Sequence, residues 1–127
     1  MKSIITPDGL SNRGFRLQFI TNGDSAQEHL EGAEAALRGG CRWVQLRMKG
    51  AAPEMIVETG RKLRRLADLH GHATFILDDH AELVSETGAD GVHLGKNDMS
   101  PDEARKILGP DKIIGSTANC LDDIRLA

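Results

Sequence analysis

The sequence predicts an α/β fold built from repeated strand–helix units around a parallel sheet. Three observations carry this expectation. Five short apolar runs recur along the chain, helical stripes with capping signals lie between them, and glycines close several of the helices. The first strand is expected over residues 15–20, Phe-Arg-Leu-Gln-Phe-Ile. Ser25 followed by Glu28 is a capping box, and Leu30, Ala33, Ala36 and Leu37 form the apolar stripe of the helix it opens. Gly39-Gly40 stops that helix. The second strand is expected over 43–48. Pro53 then suits the first turn of a helix that carries Ile56, Leu63, Leu66 and Ala67 on one side. Residues 74–77, Thr-Phe-Ile-Leu, form a third strand, and a short helix follows through Leu83 and Val84 to Gly88. Residues 91–94, Gly-Val-His-Leu, are a fourth strand. Ser100-Pro101-Asp102-Glu103 is the clearest helix start in the chain, with a cap, a proline at the first position and a glutamate three residues after the cap. That helix runs through Ala104, Ile107 and Leu108 to Gly109-Pro110, and residues 112–116 give a fifth strand. Asn119 and Asp122 read as the opening of a further helix.

Strands alternating with helices imply parallel pairing and right-handed crossovers. An open doubly wound sheet and a (β/α)8 TIM barrel both satisfy that pattern. A barrel needs eight units and about 250 residues, whereas this chain has 127. The sequence stops within a helical pattern that lacks a C-terminal cap or polar tail. The barrel is therefore the favoured reading, with residues 1–127 a single domain, the N-terminal portion of a (β/α)8 barrel holding about its first five strands.

Composition narrows the function. A net charge of -3 gives no footprint for nucleic acid. One Trp, three Phe and no Tyr leave little surface on which bases could stack. Cys41 and Cys120 match no metal spacing and are too few for a disulfide framework, so a reduced state in the cytoplasm is expected. The first ten residues lack a signal-peptide apolar run, and no segment approaches membrane-spanning length. Walker, nucleophile-elbow and Gly-x-Gly-x-x-Gly patterns are missing from the sequence.

The polar residues then say where to look. Along Val44-Gln45-Leu46-Arg47-Met48-Lys49 the side chains alternate, so Gln45, Arg47 and Lys49 share one face and Val44, Leu46 and Met48 the other. Ligands of parallel α/β folds bind at the C-terminal strand ends. Arg47 and Lys49 come after the second strand, Asp78 and Asp79 after the third, Asp98 after the fourth, and Ser116, Thr117 and Asn119 after the fifth. Arginine offers a planar fork for phosphate oxygens and lysine a point charge. Mg²⁺ takes one or two carboxylates and completes its shell with water and substrate phosphate, so Asp79 and Asp98 opposite two cations describe a magnesium diphosphate site. Ser116 and Thr117 offer hydroxyls to the same anion. Plainer readings exist for the single residues: Asp79 as a helix cap, Asp98 as a turn residue, His93 as a packed, hydrogen-bonded histidine, and His70 and His72 as exposed loop residues.

Four segments, in order, resemble the thiamine phosphate synthase family, also called thiamine-phosphate pyrophosphorylase. Gln45-Leu46-Arg47-Met48-Lys49 is similar to its Gln-x-Arg-x-Lys strand, and Asp78-Asp79 stands where the family usually has Asn-Asp. Residues 88–98, Gly-Ala-Asp-Gly-Val-His-Leu-Gly-Lys-Asn-Asp, resemble its Gly-Ala-Asp-Gly-Val-His-Leu-Gly-Gln-x-Asp segment, and Ile114-Gly115-Ser116-Thr117 its Ile-Gly-x-Ser/Thr turn. The resemblance covers nearly the whole chain from Leu17 onward and implies a (β/α)8 barrel. The implied reaction joins 4-amino-2-methyl-5-hydroxymethylpyrimidine diphosphate to a thiazole phosphate with release of pyrophosphate. It implies that Gln45 holds the pyrimidine, that Arg47 and Lys49 hold the diphosphate, that Asp79 and Asp98 carry Mg²⁺, and that Asp78 and Thr117 border the substrate. No protein nucleophile is implied. Asp78 for asparagine adds a negative charge and Lys96 for glutamine a positive one, a pair expected to compensate. The family's later barrel half carries a lysine near pyrophosphate and a Gly-rich loop for the thiazole phosphate, so the 127-residue chain is expected not to complete the second-substrate site. Two other readings stay open: a thiazole tautomerase of the same superfamily, and a half-barrel that assembles as a homo-oligomer through open strand edges.

Overall fold

The computed structural model describes residues 17–117. The start of the first predicted strand, the helix predicted around Asn119 and Asp122, and Cys120 lie outside the described residues. Five strands form one sheet: β1 (Phe19–Ile20), β2 (Trp43–Leu46), β3 (Thr74–Asp78), β4 (Gly91–Leu94) and β5 (Ile113–Ser116). Between them run α1 (Ala26–Arg38), α2 (Pro53–Leu69), a 3₁₀ turn (Ala81–Leu83) that continues into α3 (Val84–Thr87), and α4 (Pro101–Leu108). Every pairing is parallel, and the spatial order is β1-β2-β3-β4-β5. That unbroken order separates the two architectures left open by the sequence. A doubly wound sheet reverses direction at a switch point, whereas barrel strands follow one another in sequence.

The helix boundaries follow their chemistry. Ser25 Oγ accepts from the Glu28 N–H at 3.2 Å, while Glu28 Oε1 accepts from the Asp24 N–H at 3.1 Å. Ser100 Oγ accepts from the Glu103 N–H at 3.2 Å, with Pro101 at the first helical position. α2 starts at Pro53 with no side-chain cap, and α3 ends at Gly88 in the left-handed region. Gly60 lets α2 approach α3, since a Cβ there would stand 2.7 Å from Thr87 Cγ2.

One sheet face is apolar and carries the helices. Val44, Leu46, Phe75, Leu77, Val92 and Leu94 are buried against Ala33, Leu37, Ile56, Leu63, Ala67 and Ala104. The stripe predicted for α1 omitted His29, which is 5% exposed and lies on the same helix as buried Ala33 and Leu37. Among the described residues no helix is long and apolar enough to cross a membrane.

Asp90 holds the opposite end of the sheet from the site. Its Oδ2 accepts from the Phe75 N–H at 2.9 Å and from Arg64 Nη1 at 3.0 Å, while Arg64 Nη2 donates to the Ala73 carbonyl at 2.9 Å. Asp90 therefore ties the start of β3 to α2 and β4, which makes it a residue of stability within the segment 88–98. Asp90→Ala is expected to cost about 1–2 kcal/mol, because it orphans a strand N–H and removes a charge-assisted bond from a half-exposed group. Urea unfolding checks this.

Candidate functional site

A cleft of 490 Å³ opens at the C-terminal strand ends. Its walls include Gln45, Arg47, Lys49, Asp78, Asp79, Asp98 and Thr117, the residues that the family resemblance assigns to substrate and metal. Four different strand ends bring them together, so the convergence is a product of the parallel order and not of any one segment.

Each arrives by a different local device. Gln45 lies on β2, points away from the helices and is 2% exposed. Its Nε2 donates to Gln18 Oε1 at 2.9 Å. β2 ends at Leu46, two residues before the predicted end, so Arg47 and Lys49 reach the cleft from the following loop rather than from strand alternation. A turn closes that loop, with the Ala51 N–H donating to the Met48 carbonyl at 3.2 Å and Gly50 at φ 75°. β3 extends one residue further than predicted and places Asp78 on the inner face, 3.7 Å from Arg47 Nε.

After Asp78 the chain turns sharply. Asp79 and His80 both take φ 61°, the left-handed region that Asp and His tolerate better than most residues. Adjacent left-handed residues are costly, and such strain concentrates at ligand-binding sites. The Asp79 N–H donates to the His93 carbonyl at 2.7 Å, which fixes the turn to β4. The helix-cap reading of Asp79 is corrected: His80 occupies the cap position of the turn and no side-chain bond caps it. The turn reading of Asp98 is right as far as it goes. Asp98 Oδ2 accepts from the Gly95 N–H at 2.7 Å, and a Cβ at Gly95 would crowd that oxygen at 2.9 Å. The same carboxylate borders the cleft.

Thr117 comes directly after β5, and its Oγ1 shares a hydrogen bond of 2.9 Å with His93 Nε2. His93 is thus packed and hydrogen-bonded, in keeping with its plainer reading, and it also lines the cleft. Ser116 is exposed and is not part of the cleft wall, because alternation turns it away from Thr117. Lys96 is also exposed and outside that wall, and Arg47 faces the extra charge of Asp78. His72 is exposed and bonds Asp68 Oδ1 at 2.7 Å, whereas His70 is half-buried at the end of α2. Cys41 is buried and free.

Gln18 and His80 also line the cleft, and sequence reasoning missed both. Gln18 carried a usable signal. It stands two residues before Ile20, which pairs with Gln45 in the ladder, so period-two alternation puts it on the inner face. His80 carried none, because its direction depends on the left-handed turn.

Burial raises the Asp78 pKa from its ordinary value. Asp98 and Asp79 push the same way, while Arg47 and His93 oppose the rise. A raised folded-state pKa means that the folded protein binds this proton more tightly than the unfolded chain. That stability is fully present at pH values below the unfolded carboxylate pKa and is lost as pH rises through the raised folded value. Asp78→Asn is therefore expected to be more stable than the parent at neutral pH, with the difference vanishing toward pH values near the ordinary carboxylate pKa. Melting temperatures of the metal-free proteins across that range check it.

The acidic groups fit a hard cation in one respect. Among the described residues no three His, Cys, Asp or Glu side chains form a metal-holding group by themselves. Asp79 and Asp98 supply oxygen donors only, the pattern of Mg²⁺ shared with phosphate oxygens rather than that of a protein cage.

Comparison with known proteins agrees with this geometry. The sequence model of the thiamine monophosphate synthase (TMP-TENI) family matches residues 17–127. Thiamine-phosphate synthase of Phocaeicola vulgatus is 46% identical over 117 residues, covering 92% of this chain and 56% of that protein. Thiamine-phosphate synthase of Bacteroides fragilis is 49% identical over 110 residues, covering 87% of this chain and 53% of the relative. The solved structure of thiamine phosphate pyrophosphorylase from Pyrococcus furiosus superposes with a TM-score of 0.77 at 30% identity, covering 88% of this chain and 55% of that one. The chain thus spans about half the length of the relatives it matches. With its strand order, its cleft and this match over most of its length, the chain belongs to the thiamine monophosphate synthase family.

Proposed function

We propose that this chain is the N-terminal portion of a (β/α)8 barrel and carries the pyrimidine diphosphate half of a thiamine phosphate synthase, a cytoplasmic transferase. The whole enzyme would couple 4-amino-2-methyl-5-hydroxymethylpyrimidine diphosphate to thiazole phosphate and release pyrophosphate. The observation that carries this reading is the meeting of Arg47 and Lys49 with Asp79 and Asp98 in one cleft. Two cations and two hard oxygen donors around 490 Å³ suit a metal-bound diphosphate and suit few neutral ligands.

In this reading Arg47 and Lys49 bind the diphosphate oxygens and stabilise the charge that grows there as the carbon–oxygen bond breaks. Asp79 and Asp98 would hold Mg²⁺, which when bound neutralises the leaving diphosphate. Gln45, steadied by Gln18, presents its amide to the pyrimidine, whose amino group stabilises the methylene cation. The thiazole nitrogen then attacks that carbon, so the protein supplies position and charge and no nucleophile. Thr117, held by His93, borders the reacting groups.

The test is equilibrium binding of the pyrimidine diphosphate with and without Mg²⁺, followed by pyrophosphate release on adding thiazole phosphate. Mg²⁺-dependent binding supports the synthase; a thiazole tautomerase has no need of it, and metal-independent or absent binding would sink the proposal. The 127-residue chain is expected to bind the first substrate and not to turn over; normal turnover by this chain would refute the division of the site between halves. A second reading, self-association through the strand edges, is favoured by the position of β1 and β5 at the two ends of the sheet order. Solution mass separates it, a monomer counting against it.

A further inference from the structure

The segment 47–50 is a thin wall. On one side lies the 490 Å³ cleft; on the other lies a second cleft of 620 Å³, bordered by the β1–α1 loop and by the loop that leads into α2. Arg47, Met48, Lys49 and Gly50 line both. Of these four residues Met48 packs against the core, while Arg47, Lys49 and Gly50 are exposed between the two clefts. The Arg47 side chain is 44% exposed, and its ion pair with Asp78 is long at 3.7 Å. An exposed pair of that length does little to hold a side chain in one place.

The loop is fixed at its root. The Arg47 N–H donates to Thr21 Oγ1 at 3.1 Å, and Thr21 Oγ1 lies 2.6 Å from His29 Nδ1. The Thr21 N–H donates to the Gln45 carbonyl at 2.9 Å, so the residue is also stitched to the end of β2. Thr21 is 1% exposed and His29 5% exposed. A threonine hydroxyl has one proton to give and two lone pairs. With one lone pair filled by Arg47, its proton is available to His29 Nδ1. A buried histidine on α1 thereby orients a buried hydroxyl, and that hydroxyl clamps the first residue of the cation-bearing loop.

We propose that Thr21 and His29 are positioning residues for the diphosphate cations: they act through the Arg47 backbone and touch no substrate. The inference rests on the functional reading above. A purely structural role for the pair predicts a different outcome, namely a loss of overall stability with the cation loop unmoved in the protein that remains folded.

The experiment uses Thr21→Val, which keeps the shape and removes the hydroxyl, Thr21→Ser as the restoring variant, and His29→Leu as a second variant. Amide hydrogen exchange is read without ligand, and Mg²⁺–pyrophosphate affinity is read well below each melting temperature. Thr21→Val is expected to lose at least about tenfold protection at the Arg47 amide, with β3 and β4 amides unchanged, and to bind Mg²⁺–pyrophosphate about tenfold more weakly. These sizes are those of one lost hydrogen bond. His29→Leu moves both readouts the same way by less, and Thr21→Ser restores both. Exchange that rises in parallel across all amides, or unchanged affinity in Thr21→Val beside a parent that binds, overturns the positioning role. A parent that fails to bind Mg²⁺–pyrophosphate overturns the diphosphate reading and the positioning role with it, while the exchange data still judge the Thr21 clamp separately.

Discussion

Asp79→Asn is expected to weaken Mg²⁺-dependent pyrophosphate binding by about 100-fold or more while leaving the fold intact. On the proposed assignment, the affinity loss follows from removing one of the two charged oxygen donors offered to Mg²⁺. The intact fold follows from backbone conformation. Asp79 sits at φ 61°, where asparagine is as well tolerated as aspartate and where alanine would add strain. The Asp79 backbone bond to the His93 carbonyl survives the change. Calorimetric titration with and without Mg²⁺ reads the effect: the parent shows a large metal dependence and the variant almost none. A variant that kept the parent's metal dependence would remove Asp79 from the ion.

Arg47→Met is the second large effect. Binding should fall by about 10- to 100-fold, the loss of one or two charge-assisted bonds. Arg47→Lys should recover only part of it, since an ammonium cannot reproduce the planar fork. Stability should barely change, because the partner is 3.7 Å away and the guanidinium is half exposed. Removing Arg47 also takes away a charge that holds the Asp78 pKa down, so Asp78 should titrate still higher. A melting temperature lowered by many degrees in Arg47→Met would show instead that the arginine is structural.

The order of elements was legible because each long helix announces its own start. Ser25 with Glu28, Pro53, and Ser100 with Pro101 and Glu103 are local signals that need no tertiary context. The cleft was legible because strand ends converge in any parallel sheet, so the residues near the strand ends recover its charged side chains, though not Gln18 or His80. Three features were beyond that logic. The end of β2 at Leu46 is set by the adjoining loop and not by alternation, so Arg47 and Lys49 arrive by a route the pattern did not contain. The paired left-handed residues Asp79 and His80 are a strained solution that local propensity does not select. The burial of His29 depends on Thr21, eight residues away and outside the helix, and a polar residue in a helix gives no sign by itself that a partner awaits it.

The resemblance and the geometry also assign different tasks within one motif. In residues 88–98, Asp90 braces the far end of the sheet through Phe75 and Arg64, whereas Asp98 borders the cleft. The same residue type, eight positions apart, braces the sheet at one end of a strand and borders the cleft at the other.

A metal-bound diphosphate in this cleft must engage the loop after β2 and the turns after β3 and β4 in one binding event. Backbone amide shifts tracked by NMR during titration with Mg²⁺–pyrophosphate test this directly. The prediction is that Arg47, Lys49, Asp79 and Asp98 move along one saturation curve, and that omitting Mg²⁺ weakens all four alike. Shifts confined to Arg47 and Lys49, or curves with separate midpoints for the cationic and acidic groups, would contradict it.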